Sequence, residues 1–140
     1  MIILDTNVIS EPMKPSGNAA VLAWLDRQQA ETLYLTATSL AELLVGIELL
    51  PDGRRKQGLD RALGDLMSVL FGSRILPFDE RAAKLYAPLL GRARASGRVI
   101  GFADGQIAAI ATLHGFSVAT RDVAPFEAAG VPVVNPFAPD

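Results

Sequence analysis

Leu33-Tyr34-Leu35-Thr36-Ala37, followed at once by Ser39-Leu40-Ala41-Glu42-Leu43-Leu44-Val45, reads as a short strand running into a helix. The helix begins at Ser39 and reaches about Leu50, where Pro51-Asp52-Gly53 stops it. The same alternation recurs on both sides. Upstream, Ile2-Ile3-Leu4 has the β-branched character of a buried strand. Residues 18–29 form a helix that Asn18 caps, with Val21, Trp24 and Leu25 on one face. Downstream, 53–58 is a polar loop, and 59–71 is a helix with Leu63, Leu66, Met67 and Leu70 inward. A strand over 74–78 carries Pro77, which places it at a sheet edge. Asp79 caps a helix over 80–95 that Pro88 should kink, and Gly115 ends another over 103–114. The last strands are 116–120 and 131–134.

Short strands alternating with helices imply βαβ units, hence an α/β fold with a mainly parallel sheet covered on both faces. No repeat, low-complexity tract or linker interrupts the chain, so 1–140 is expected to be a single domain with one core. Ligands of such sheets bind outside the carboxyl ends of the strands. Asp5 ends the first strand and Asp122 lies just past a later one, so both should face the same edge.

Half of the 140 residues are hydrophobic, an ordinary globular composition far from the disordered class. A formal net charge of −2 argues against a highly basic nucleic-acid binder, although neutralising four acids with bound metal turns that −2 into +2. The absence of cysteine excludes disulfides, thiolate metal sites and a Cys nucleophile, and it fits a reducing cytoplasm. A lone His114 excludes a multi-histidine metal site within one chain; at a helix C-terminus it reads as a partner of the helix dipole. No apolar run reaches the ~20 residues needed to span a bilayer, and no basic leader precedes the first strand. The expectation is a cytoplasmic protein with no membrane partner.

Four acids stand out in apolar surroundings: Asp5, Glu42, Asp104 and Asp122. Each has a plain alternative. Asp5 can stabilise a turn or cap a helix. Ser39-Leu40-Ala41-Glu42 matches a capping box, yet Glu42 shares a helical face with Val45, Gly46 and Leu49, where an unpaired acid is costly. Asp104 suits the first turn of a helix dipole, yet Ile107, Ala108 and Ala111 turn its face to the core. Asp122 can belong to a polar turn. Together they form a pocket of like charge: two carboxylates ~4 Å apart repel by about 4 kcal/mol at an effective dielectric near 20. A cation offsets this, and oxygen-only ligands suit Mg²⁺ or Mn²⁺.

The ordered segments Ile3-Leu4-Asp5-Thr6-Asn7-Val8-Ile9-Ser10-Glu11, Thr38-Ser39-Leu40-Ala41-Glu42-Leu43 with Gly46, Asp104-Gly105-Gln106-Ile107-Ala108-Ala109 and Ala119-Thr120-Arg121-Asp122-Val123-Ala124-Pro125-Phe126 resemble PIN-domain ribonucleases of the VapC toxin type, nearest the FitB-like or plasmid-stability branch. The resemblance spans nearly the whole chain. It implies a PIN-like three-layer sandwich. It carries the acidic quartet of catalytic, metal-binding residues onto Asp5, Glu42, Asp104 and Asp122, with Asp5 and Asp104 the firmest ligands and Asn7 and Thr120 in support. It further implies Mg²⁺- or Mn²⁺-dependent endonucleolytic cleavage of RNA. A homodimer held inactive by a VapB-type antitoxin is expected, in a heterotetramer or larger, reaching operator DNA only through the antitoxin. Gly105 and Gln106 depart from the family's usual Ala and larger residue, which bears on packing or substrate fit. Arg121 and Arg98 are candidate RNA contacts; the plain alternative for these and for Arg54, Arg55 and Lys56 is a solvated helix face or loop.

Two other readings fit the same residues. A phosphoaspartyl receiver or phosphatase-like domain also places an Asp at a strand end near Mg²⁺, but the phosphatase pattern wants a second Asp where this chain has Asn7, and no Lys occurs beyond Lys84 to serve a receiver. A non-catalytic interaction module would keep the fold and lose the acids, and all four are present.

Overall fold

The computed structural model describes residues 1–138. Five strands, β1 (Ile2–Leu4), β2 (Leu33–Thr36), β3 (Ile75–Leu76), β4 (Ser117–Ala119) and β5 (Val133–Val134), make one sheet in the order β3-β2-β1-β4-β5. Every pairing is parallel. The helices are α1 (Thr6–Ile9), α2 (Ala19–Asp26), α3 (Ala37–Glu48), α4 (Arg54–Asp65), α5 (Glu80–Ala95), α6 (Phe102–His114) and α7 (Val123–Ala128).

Successive strand residues point to opposite faces, and each face has its own apolar core. Ile3 and Val118 enter one, against Leu89 of α5, Ile107 and Ile110 of α6 and Phe126 of α7. Leu4, Leu33, Leu35 and Ala119 enter the other, against Val8 and Ile9 of α1, Val21 of α2 and Phe71. The result is the three-layer α/β sandwich that the sequence predicts. No helix of the described residues is long and apolar enough to cross a membrane.

The chain winds outward from β1 through β2 to β3, then crosses back to lay β4 on the other side of β1. The carboxyl ends of β1 and β4 are therefore the point where the winding reverses, the place such sheets leave a crevice. Ile2, Ile3 and Leu4 lie opposite Ser117, Val118 and Ala119. Continuing that register sets Asp5 beside Thr120.

Several expectations need correction. Helix α3 begins at Ala37, two residues before Ser39, because Thr36 is the cap: its Oγ1 accepts from the Ser39 N–H at 3.0 Å. Glu42 is thereby released from a capping box. Nor does Glu42 lie on a buried stripe. The inward side of α3 is Ser39, Leu40, Leu43 and Ile47, whereas Val45 is 55% and Leu49 79% exposed. The polar run at 53–58 is not a loop. Arg54, Arg55, Lys56 and Gln57 are good helix formers, and α4 starts there after Gly53, whose φ of 151° favours glycine. The continuation Leu66–Phe71 widens to π winding and delivers Phe71 fully buried into the core. Strand β3 is an edge strand, as expected, but it spans only Ile75–Leu76 and ends before Pro77.

Helix α6 lies unusually close to α5 at Gly105. A Cβ there would come within 2.8 Å of the Tyr86 ring and 2.9 Å of Leu90. This contact seats the first turn of α6, and Asp104 with it. Gly105→Val should lower the unfolding free energy by about 1–3 kcal/mol through overpacking, read from urea denaturation; an unchanged midpoint would show that α5 yields freely.

Candidate active site

Asp5 follows β1 directly and is 4% exposed. Its Oδ1 accepts from the Thr6 N–H at 2.8 Å, capping α1. Its Oδ2 accepts from the Thr120 hydroxyl at 2.8 Å. The helix cap and the shared crevice are thus two uses of one carboxylate. Thr120, fully buried, spends its whole hydrogen-bonding capacity here. Besides donating to Asp5, its Oγ1 accepts from Asn7 Nδ2 at 3.3 Å and from the Asp122 N–H at 3.0 Å. Asn7 Oδ1 in turn accepts from the Arg121 N–H at 3.0 Å. One hydroxyl and one amide therefore fix the end of β1 against the turn after β4.

The other acids approach from the helices. Glu42 projects from α3 and is exposed, and Asp104 sits half-buried in the first turn of α6. Asp122 precedes α7, exposed, with its side chain capping nothing. Their electrostatics are shared. Burial pushes the Asp5 carboxyl above its ordinary 3.8; bonds from Thr120 and Thr6 pull it back, and the charge of Asp122 adds to the rise. Partial desolvation, then the charges of Asp5 and Asp104, push Glu42 up. Burial, then the charges of Asp5 and Asp122, push Asp104 up to about 6. All four belong to one mutually repelling group.

A second polar tie holds the helices that carry Glu42 and Asp104. The Thr38 hydroxyl of α3 donates to Gln106 Oε1 of α6 at 2.8 Å. Gln106 therefore has a positioning contact that its sequence context did not reveal. A groove of about 790 Å³ opens beside Asn7 and Glu42 and is also lined by Lys14, Arg54 and Arg55. Arg121 is exposed, its backbone N–H held by Asn7, which lines that groove. Arg98 does not join this group; it lines a separate depression with Leu90, Arg94 and Ile100. His114 is the last residue of α6, its ring 5.4 Å from that of Phe116.

Among the described residues, no three acids or histidines stand close enough to cage a metal ion by themselves. The donor set nevertheless fits a hard divalent cation. It offers only oxygens, and Mg²⁺ is commonly held by one or two carboxylates with water completing its shell. The upward pKa shifts of Asp5, Glu42 and Asp104 mark a site whose charge lacks an internal partner.

The sequence reading missed Glu11, a carboxylate only 4% exposed in the 3₁₀ turn after α1. No local pattern in the sequence marks its burial, but the fold shows a close backbone approach at Gly17. A Cβ there would fall 2.4 Å from the Glu11 carbonyl oxygen, so the chain must fold back over this residue closely.

A family model described as PIN domain matches residues 2–131. VapC ribonuclease Y4jK of Sinorhizobium fredii is 53% identical over 140 residues, covering 99% of each chain. Toxin FitB of Neisseria gonorrhoeae is 49% identical over 137 residues, 98% of this chain and 99% of that one. The solved structure of FitAB bound to an IR36 DNA fragment superposes with a TM-score of 0.95 at 46% identity, covering 100% of this chain and 98% of the other.

Two outcomes follow from the geometry. An acid whose folded-state pKa is raised binds its proton more tightly folded than unfolded, so stability is full below the unfolded value and is lost as pH rises through the folded one. For Asp104 that window runs from 3.8 to about 6. The melting temperature of metal-free protein should fall across it, Asp104→Asn should flatten the fall, and Mn²⁺ at neutral pH should restore the loss; a melting temperature that climbs through this window would contradict the shared-charge site. Thr120→Val should cost about 1–3 kcal/mol, because it strips a buried donor from Asp5 and an acceptor from Asn7. Chemical denaturation reads this directly.

Proposed function

Since this chain belongs to the PIN-domain family, we propose that it is a metal-dependent endoribonuclease and the toxin of a toxin–antitoxin pair. The single observation that carries the catalytic reading is the convergence of Asp5, Glu42, Asp104 and Asp122 on one crevice, where burial and then neighbouring acid charge push Asp5, Glu42 and Asp104 upward. The near full-length likeness to a VapC ribonuclease and to toxin FitB supports the RNA substrate and the toxin role.

In this reading Asp5 and Asp104 hold Mg²⁺ or Mn²⁺, with Glu42 and Asp122 joining directly or through water. The bound cation supplies Lewis-acid stabilisation of phosphodiester oxygens and lowers the pKa of attacking water. The chain's own residues do the rest. Thr120 and the Thr6 N–H hold both oxygens of Asp5 in place. Each oxygen keeps a second lone pair for a cation, and the phosphoaspartyl alternative is disfavoured instead by Asn7 standing where its phosphatase form wants a second Asp. Asn7 ties α1 to the 120–121 turn, and Thr38 with Gln106 fixes α3 against α6. Arg121, exposed beside Asp122 in the chain, offers charge to the RNA backbone, which gives affinity without sequence choice.

The partner is a VapB-type antitoxin, through which the complex reaches operator DNA; the FitAB–DNA structure supports this arrangement. Leu44, Val45 and Leu49 leave apolar surface on α3 for a second copy or the antitoxin to cover, as a homodimer within a larger complex requires. The working compartment is the cytoplasm, where RNA and antitoxin are made, and 1–140 acts as a single domain.

Asp5→Asn and Asp104→Asn should each abolish Mg²⁺-dependent RNA cleavage with the circular dichroism spectrum unchanged, and Asp122→Asn should retain more activity than either. Undiminished cleavage by the first two variants would sink the assignment of the site. Sequencing RNA ends after brief expression names the substrate.

A further inference from the structure

Glu11 is a buried charge that the proposed chemistry does not use. Its Oε2 accepts no hydrogen bond, although the Lys14 ammonium lies 3.0 Å away, outside hydrogen-bonding geometry. Its Oε1 lies 3.9 Å from Arg121 Nη2. A buried carboxylate left without positive partners is strongly destabilising, so these two cations are held to it by its need for them. Neither cation is itself buried: the side chains of Lys14 and Arg121 are 54% and 59% exposed. At 3.9 Å the Arg121 guanidinium is in ion contact without a committed hydrogen bond, and its donors remain available to another anion.

Arg121 is also fixed from two further directions. The Phe137 ring lies under its guanidinium, 3.8 Å from centroid to Cζ. Its backbone N–H is held by Asn7, the residue that shares the Thr120 hydroxyl with Asp5. Lys14 lines the groove that Asn7 and Glu42 also line. Long cationic side chains on a surface ordinarily lose much rotamer entropy on binding, and this arrangement orders them in advance. The trio of Glu11, Lys14 and Arg121 keeps one positive charge in excess.

The geometry points to Glu11 as a positioning residue that presents Lys14 and Arg121 as a two-cation clamp for backbone phosphates of single-stranded RNA entering the acidic crevice. The clamp rests on the nuclease reading for its substrate class, and deepens it: an anionic polymer must approach four carboxylates, and a fixed pair of cations at their rim offsets that repulsion. Phe137 serves as the platform on which the guanidinium rests.

The test is Glu11→Gln, which keeps the size and removes the charge, alone and combined with Arg121→Gln or Lys14→Gln. Cleavage of a labelled single-stranded RNA is followed with Mg²⁺, and binding of the same RNA by anisotropy across salt with Ca²⁺ in its place. Glu11→Gln should raise KM about tenfold with kcat nearly unchanged, and the salt slope of binding should shrink by about 0.7 for each phosphate that the cations no longer engage. The effect should be smaller in the Arg121→Gln background, since the two act together. Calorimetric Mn²⁺ affinity should not move. A folded Glu11→Gln protein with wild-type KM and salt slope, or with a loss in kcat alone, overturns the clamp while leaving the nuclease intact. If Glu11→Gln fails to fold, the exposed substitutions decide: wild-type RNA binding by Arg121→Gln and Lys14→Gln together overturns it. Wild-type protein that binds RNA with a Glu11-dependent slope yet cleaves none keeps the clamp and removes the nuclease reading.

Discussion

A carboxylate placed at the reversal point of a parallel sheet has little water around it and other carboxylates for neighbours. Asp5 is in that position, and the rest of the site is arranged around holding it there. Two donors restrain its oxygens, one from its own helix turn and one from the far end of the chain. Those bonds favour the ionised form, while burial and neighbouring charge oppose it. The balance leaves an oxygen-rich crevice that is fixed in place yet electrostatically incomplete. On the proposed metal-dependent reading, such a site would be prepared for a divalent cation before one arrives, the ordering cost of Asp5 having been met by its own hydrogen bonds.

The alternation of strands and helices was legible because it needs only local signals. Asn18, Asp79 and Gly115 punctuate helices where their chemistry requires, and Pro77 marks the edge strand. The carboxyl-edge rule then brought Asp5 and Asp122 together without any knowledge of side-chain contacts. Helix α3 was harder. Its cap is Thr36, a residue equally at home at the end of a strand. Glu42 does share a face with Val45, Gly46 and Leu49, but that apolar face is turned to solvent, so apolar composition alone pointed to burial where there is none; its membership of the charged group rests on its neighbours instead.

What the sequence concealed was the set of contacts between residues far apart in the chain. Thr38 with Gln106, and Glu11 with Arg121, each join segments that no local pattern relates. Both are polar pairs at the margin of an apolar core, where composition gives no periodic signature. The basic run at 54–57 was misjudged for the opposite reason. Charge there looked like a loop, but long charged side chains are good helix formers, and Lys56 reaches back to the Glu48 carbonyl and Asp52. Arg98, attractive in sequence for its nearness to Asp104, lines a different depression.

The bond from Thr120 to Asp5 closes a loop across 115 positions of the chain. During synthesis the first strand emerges early, and its partner β4 emerges near the end. Until then Asp5 has no hydroxyl to meet, and the turn bearing Arg121 and Asp122 has not yet been made. Non-local pairing of this kind is slow to form and comes late. A chain interrupted before β4 therefore carries Asp5, Glu42 and even Asp104, but not the arrangement that joins them. On the proposed toxin function, assembly order would leave each incomplete copy without its completed site.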